Sequence, residues 1–253
     1  MRCVLVIPAR YASSRLPGKP LLKQTGKYLV QHVYEQAKKS KLAHEVVIAT
    51  DDPRIMAACG KFQANCQMTL KSHPSGTDRV AEVATKVPGD IFVNLQGDEP
   101  MIDPASIDLL IRQLLENSDS PMATLATPIR SREDWLNPNC VKVVHDGSHR
   151  ALYFSRSPIP FQRDGEPDFN ARPARFLQHI GMYAYRREFL LGLSKIPQDP
   201  LEKLEKLEQL RVLGIGKPIQ LGIVEERSLG VDTPQDYQNF ISEYNSLRSR
   251  KVA

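Results

Sequence analysis

Four short apolar runs, separated by amphipathic helical patterns, decide what this chain can fold into. CVLVI (3–7), EVVIAT (45–50), CQMTL (66–70) and DIFVNL (90–95) read as strands. Between them, YLVQHVYEQAKKS (28–40), PRIMAACGKF (53–62) and TDRVAEVATKV (77–87) repeat apolar residues at i, i+3 and i+4, the spacing of one helix face. Strand followed by helix, repeated, predicts an α/β fold: a Rossmann-like, mostly parallel sheet with helices on both faces. CVLVI shows no alternation, as expected of a strand buried on both sides. Asp52-Pro53 and Asp103-Pro104 each pair an N-cap residue with proline at the first helical position.

After about residue 120 the pattern changes. MATLATPI reads as a strand, and VKVVHDGSHRALYFS as two strands joined around Asp146-Gly147. Residues 158–175, rich in Pro, Arg and Asp, read as an irregular loop. HIGMYAY (179–185) is a strand and RREFLLGLSK a helix. PLEKLEKLEQLRVLG (200–214) predicts one strong helix stopped by Gly214. PIQLGIVEE and TPQDYQNFISEYNSL close the chain as strand and helix. The expectation is a single domain over 1–253, with a small β-rich insertion at about 130–190.

Composition narrows the partners. With 253 residues, 25% charged and a net charge of +5, the mild excess of cations suits anionic small molecules. No basic block or basic-aromatic surface pattern argues for nucleic acid. No segment approaches the roughly 20 apolar residues that span a bilayer. The run CVLVI is too short for a signal peptide and is stopped by Pro8. The expected location is therefore the cytoplasm, with no membrane partner. The four cysteines form no CxxC pair, and Cys3 and Cys59 lie in apolar patterns that predict buried thiols.

Ligands of an open parallel sheet bind beyond the carboxyl ends of its strands. ARYASSRLPGKP follows the first strand and so lies at that edge. Ala9, Ser13, Ser14 and Gly18 are small enough for backbone N–H groups to approach an anion, and Arg10, Arg15 and Lys19 add charge and forked donors. Such a loop suits a polyphosphate. It is neither GxGxxG nor a P-loop, since Gly18-Lys19 is followed by Pro20. NLQGDEP (94–100) brings Asp98 and Glu99 to the same edge, where a carboxylate suits Mg²⁺, although the stretch serves equally as a turn. In LGVDTPQDY (229–237), Asp232 is either a second metal carboxylate or part of a helix cap. In HPSGTDR (73–79), Ser75, Gly76 and Thr77 open a helix where backbone could meet a base, ribose or phosphate, with Asp78 and Arg79 in its first turn.

IPARYASSRLPGKPL, HPSGTDR, NLQGDEP, LYFSRSPIPF, HIGMYAYRREFL, LEKLEQLRVL and LGVDTPQDY, in this order from residue 4 to about 240, resemble the 3-deoxy-manno-octulosonate (Kdo) cytidylyltransferases, the CMP-Kdo synthetases of lipopolysaccharide synthesis. RxxSxRLPGK is shared with other sugar-nucleotide transferases and with CMP-sialate synthetases. QGDEP, FSRSPIP and HIGMYAY together are more specific. The resemblance implies a nucleotide-diphospho-sugar transferase fold and the reaction CTP + Kdo → CMP-Kdo + pyrophosphate with Mg²⁺. It implies Lys19, Arg10 and Asp98 as catalytic, Ala9, Arg10, Arg15, Lys19, Ser75, Gly76, Arg79 and Gln96 around the nucleotide, and Asp98 and Asp232 on the metal. Gln96, Arg156, His179, Tyr183, Glu208 and Gln209 would meet the sugar. It also implies a homodimer, with the 130–190 excursion in the sugar site and the dimer contact. Tyr28 stands where the family usually has proline, at a helix start away from the chemistry. The alternatives are a cytidylyltransferase for 8-amino-Kdo or a sialic-type acid, another base such as uracil, or a non-catalytic nucleotide-binding protein. The pair Asp98 and Asp232 argues against the last.

Overall fold

The computed structural model describes residues 1–12 and 15–252, with backbone alone for the last three of these. Ser13 and Ser14, expected in the anion loop, lie outside the described residues. The chain divides into two compact units: residues 1–108 with the segment from Ser228 onward, and Leu109–Arg227.

In the first unit, β1 (Cys3–Ala9), β2 (Glu45–Thr50), β3 (Cys66–Met68) and β4 (Ile91–Asn94) lie parallel in the order β3-β2-β1-β4. Val4, Leu5, Val6 and Ile7 are all fully buried, as the unalternating run predicted for a central strand. The helices α1 (Leu29–Ala37), α2 (Pro53–Lys61) and α3 (Gly76–Lys86) connect successive strands. The helix α4 (Pro104–Glu116) leads into the second unit, and α9 (Pro234–Val252) ends the chain. The expected caps form: Asp52 Oδ1 accepts from Arg54 N at 2.9 Å, and Asp103 Oδ1 from Ala105 N at 3.0 Å. From β1 the chain builds outward through β2 and β3, then returns to place β4 on the other side. Strand order thus reverses beside β1, which is where ligands of such sheets bind.

A buried ion pair fixes the far side of this sheet. Arg79, in the first turn of α3, is 0% exposed. Its Nη2 lies 2.9 Å from Asp51 Oδ2 just after β2, and its Nη1 donates to the Thr69 hydroxyl just after β3. One guanidinium therefore ties together the carboxyl ends of two strands and a helix start.

In the second unit, β5 (Met122–Pro128) pairs parallel with β9 (Ile219–Ile223) and antiparallel with β8 (Leu177–Arg186). The strands β6 (Lys142–His145) and β7 (Ala151–Ser155) form the expected hairpin, and the start of β8 pairs with β6. Asp146 Oδ1 accepts from Ser148 N and Arg150 N at 2.8 and 2.9 Å and so closes the turn. The short helices α5 (Arg132–Leu136) and α6 (Arg187–Leu193) follow β5 and β8. Residues 158–175 carry neither helix nor strand, as expected. Among the described residues no helix is long and apolar enough to cross a membrane.

One expectation fails. Residues 200–214 form two helices, α7 (Pro200–Glu205) and α8 (Gln209–Gly214), not one. Lys206 takes a left-handed conformation, φ 55° and ψ 46°, and ends α7. Leucine at every third position drifts around a continuous helix. With the break, Leu207 and Leu210 are buried while Leu201 and Leu204 stay in solvent. The Glu205 main-chain carbonyl, which a continuous helix would commit to Gln209 N, accepts from Arg156 Nε at 2.7 Å, while the Glu205 carboxylate accepts from Ser155 Oγ at 2.7 Å and Arg156 N at 2.9 Å.

Removing Asp51 strands a buried guanidinium. Asp51→Ala is expected to lower the free energy of unfolding by about 3–5 kcal/mol in urea titrations, with a native-like spectrum before the transition. A loss within about 0.5 kcal/mol, the range of ordinary surface substitutions, would contradict the structural role of the pair.

Candidate active site

The β1 loop begins at Ala9, the last residue of the strand, and closes where Gly18 N donates to Tyr11 O at 3.1 Å. Gly18 has φ +67°, a conformation that glycine adopts without the strain of a Cβ. It caps the short 3-10 turn Lys19–Leu21 and so sets the direction of Lys19. The Lys19 Nζ is 2.7 Å from Asp98 Oδ2 and 3.1 Å from Asp232 Oδ1. Arg15 Nη2 reaches the same Asp232 oxygen at 3.1 Å. The Lys19 side chain is 13% exposed, against 27% for Asp98 and 44% for Asp232, so an enclosed ammonium meets carboxylates open to solvent.

Each carboxylate is free for this role because other groups do the local structural work. The Asp236 carboxylate accepts from Asp232 N at 3.1 Å and Thr233 N at 2.8 Å, while Thr233 Oγ1 accepts from Asp236 N at 3.2 Å. That reciprocal cap starts α9 and leaves the Asp232 side chain to Lys19 and Arg15. Val231 N donates to Asp98 O at 2.8 Å and pins the two segments together through the backbone. Glu99, beside Asp98, instead accepts from Ser228 Oγ at 2.6 Å. Gly97 is required by proximity: a Cβ there would sit 2.5 Å from Pro8 O, so the loop after β4 passes directly against the end of β1.

Arg10 joins the β1 loop to the turn before α3. Its Nη2 donates to His73 O at 2.6 Å and to Ser75 O at 3.2 Å. Ser75 caps α3, accepting from Asp78 N at 3.2 Å and donating to Asp78 Oδ2 at 2.6 Å, and Gly76 is the first helical residue. Arg79 is turned into the core, on Asp51. Gln96, half-buried, lies between β4 and Asp98. Arg15, Lys19, Asp98 and Asp232 are thus drawn together, Arg10 is bound to the turn at Ser75, and Arg79 lies on Asp51 instead.

The second unit gathers the remaining expected residues. Thr124 pairs with Tyr183 and Leu125 with Ile180, so Gly181 and Met182 bulge from β8. Four residues of regular strand span about 13 Å. The bulge instead brings the His179 and Tyr183 rings to 5.5 Å between centroids. Burial lowers the His179 pKa to about 3 and raises that of Tyr183 above the usual phenol range, the Glu208 charge adding to the latter. Tyr183 donates to Gln209 Oε1 at 3.1 Å, and Gln209 Nε2, at the first residue of α8, is a buried donor with no partner among the described residues. Such a group costs roughly 1–3 kcal/mol until something accepts from it. Arg156 is held by backbone: Nε donates to Glu205 O at 2.7 Å and Nη1 to Pro138 O at 2.9 Å.

Sequence reasoning missed three supports of this cluster. Thr124 reads as an ordinary strand threonine, and Glu205 as a helix surface charge. Lys142 reads as a solvent-facing strand residue, yet it is fully buried and donates to Asn137 O and Arg156 O at 2.9 and 2.7 Å. None carries a signal beyond its place in an element.

Residues 4–219 match the family model described as cytidylyltransferase. A 3-deoxy-manno-octulosonate cytidylyltransferase of Geotalea daltonii is 51% identical over 93% of this chain and 95% of its own length. One of Rhodopirellula baltica is 47% identical over 97% and 100%. This chain is a member of that cytidylyltransferase family. A solved CMP:2-keto-3-deoxy-manno-octonic acid synthetase complexed with CTP superposes with a TM-score of 0.91 at 46% identity, covering 97% of this chain and 99% of that one. A cytidylyltransferase of Leptospira borgpetersenii, with a TM-score of 0.64 at 20% identity over 96% and 86%, shares the fold.

Within the family fold, Gly97 has no room for a side chain. Gly97→Ala is expected to force the β1 and β4 loops apart and cost about 1–3 kcal/mol of stability, with weaker CTP binding by calorimetry. Unchanged melting and unchanged CTP affinity would show that the approach of the two loops is dispensable.

Proposed function

We propose that this chain transfers the cytidylyl group of CTP to the anomeric hydroxyl of Kdo, giving CMP-Kdo and pyrophosphate. The arrangement that carries the reading is the meeting of Lys19, Arg15, Asp98 and Asp232 beside the strand-order reversal. The family membership and the CTP-bound structural neighbour support it.

Two carboxylates that converge on one cation fit Mg²⁺, a hard ion that prefers oxygen ligands. Here the Lys19 ammonium stands in for it, with its charge between Asp98 and Asp232. When bound there, Mg²⁺ would supply positive charge to the triphosphate and to the departing pyrophosphate. The chain's own residues do the rest. Lys19, released from the carboxylates, pairs with phosphate oxygens. Arg15 adds a forked donor to the same charge. Arg10 holds the β1 loop on the Ser75 turn, where Ala9, Gly76 and Gln96 bound the nucleotide. In the second unit, Gln209 Nε2, Tyr183 and His179 receive the hydroxyls of the sugar acid, with Glu208 beside Tyr183. Arg156 serves the sugar acid through the backbone that it positions. The hydroxyl oxygen attacks the α-phosphorus as the bond to the β-phosphate breaks, pyrophosphate departs and the hydroxyl proton is lost to solvent, and catalysis rests on alignment and charge stabilisation.

Pyrophosphate release from a panel of four nucleoside triphosphates against Kdo, 8-amino-Kdo and a sialic-type acid tests this. CTP with Kdo is expected to turn over fastest, and Asp98→Asn to lose at least about a hundredfold in kcat with an unchanged circular dichroism spectrum. Turnover only with another pair, or full activity in Asp98→Asn, would overturn the substrate or the metal assignment respectively.

A further inference from the structure

The Thr124 hydroxyl, fully buried on β5, lies among three polar atoms. Met182 O is 2.8 Å away, Ile180 O 3.1 Å and His179 Nε2 2.9 Å. A hydroxyl has one proton and two lone pairs, and a carbonyl oxygen can only accept. Were the proton aimed at His179 Nε2, the hydroxyl oxygen would face two carbonyl oxygens at contact distance with no hydrogen between them. In a buried site, oxygen lone pairs that face each other at 2.8 and 3.1 Å repel with no water to relieve them, and that arrangement is disfavoured. The proton therefore goes to the carbonyls that flank the bulge, nearest to Met182 O. The hydroxyl then has only lone pairs to offer the imidazole, and Nε2 must donate.

We infer that Thr124 is a positioning residue that fixes His179 as the Nε2–H tautomer, so that the ring presents a bare Nδ1 to accept from a hydroxyl of the sugar acid. The second half rests on the reading of His179 as part of the sugar site; the first rests on geometry alone. The His179 Nδ1 has no hydrogen bond to any described residue. Burial keeps the ring neutral, so it does not become a donor at both nitrogens. The ring plane is held as well: Phe154 meets it edge-on, with centroids 4.9 Å apart and planes at 76°. The same hydroxyl gathers the carbonyls on either side of Gly181, so one side chain both maintains the bulge and sets the polarity of the ring that the bulge turns. His179 thus selects a donor. It does not bind the carboxylate of the substrate, which would need an N–H at that place.

Two-bond ¹H–¹⁵N correlation spectra of ring-labelled protein at neutral pH, with His179 assigned from the His179→Gln spectrum, read the tautomer directly. The expected pattern is a protonated Nε2 and an unprotonated Nδ1 in wild type. In Thr124→Val, which keeps the shape and removes the hydroxyl, the pattern should shift toward a mixture. The KM for Kdo should rise about tenfold while that for CTP stays unchanged. Thr124→Ser should restore both. A wild-type Nδ1–H pattern, or a Thr124→Val spectrum identical to wild type, would overturn the inference. Should Thr124→Val fail to fold, the wild-type spectrum and Thr124→Ser decide it. A tautomer that shifts in Thr124→Val with no change in the KM for Kdo would overturn the sugar-site reading of His179, and leave the control of its tautomer by Thr124 intact.

Discussion

One ammonium between two carboxylates organises the carboxyl-end loops of the first unit. Asp98 and Asp232 stand 79 and 213 residues from Lys19 along the chain, yet both bond its Nζ. Two carboxylates brought this close repel unless a cation lies between them. The β1 loop supplies that cation, the loop after β4 one acid, and the approach to α9 the other. Each supporting detail serves the meeting: the left-handed Gly18 turns Lys19 inward, Gly97 lets two loops touch, and Asp236 relieves Asp232 of capping α9. A position that holds one cation between oxygens can exchange it for another. In the proposed function, that exchange would link the resting arrangement to a reaction that needs charge on a triphosphate.

The second unit obtains its polar cluster by irregularity. Four residues of straight strand would separate His179 from Tyr183; the bulge brings their rings into contact. A continuous helix would carry Glu205 and Gln209 along one rod. The break at Lys206 instead lets Glu205 bind the end of β7 and lets Gln209 restart the chain beside Tyr183. Among the described residues Gln209 Nε2 has no acceptor and His179 Nδ1 no donor, the two gaps that the proposed sugar site would fill.

Much of this was legible in the sequence because the physics was local. Uniform apolar runs mark strands buried on both faces, and Asp-Pro pairs mark helix starts. Arg10, Arg15 and Lys19 cluster at the edge where the fold class places ligands. What was not legible depended on distant partners. Arg79 falls among the nucleotide residues by resemblance, and only the fold shows its guanidinium buried on Asp51. Asp51 and Asp52 are adjacent acids in one turn, one capping α2 and the other neutralising a buried guanidinium. The break in 200–214 goes with a hydrogen bond from Arg156, some fifty residues earlier, to the Glu205 carbonyl. Lys142 and Thr124 sit in ordinary strand patterns, and their roles come from the carbonyls that surround them.

The exchange of cations is the central claim, and Mn²⁺ binding to the nucleotide-free protein, followed by electron paramagnetic resonance, measures it directly. Lys19→Met, which removes the resident ammonium, should bind Mn²⁺ more tightly than wild type, and adding either Asp98→Asn or Asp232→Asn to it should abolish the gain. A Lys19→Met protein that binds Mn²⁺ no better than wild type, or that keeps its gain after one aspartate is replaced, would contradict a single cation position shared by both acids.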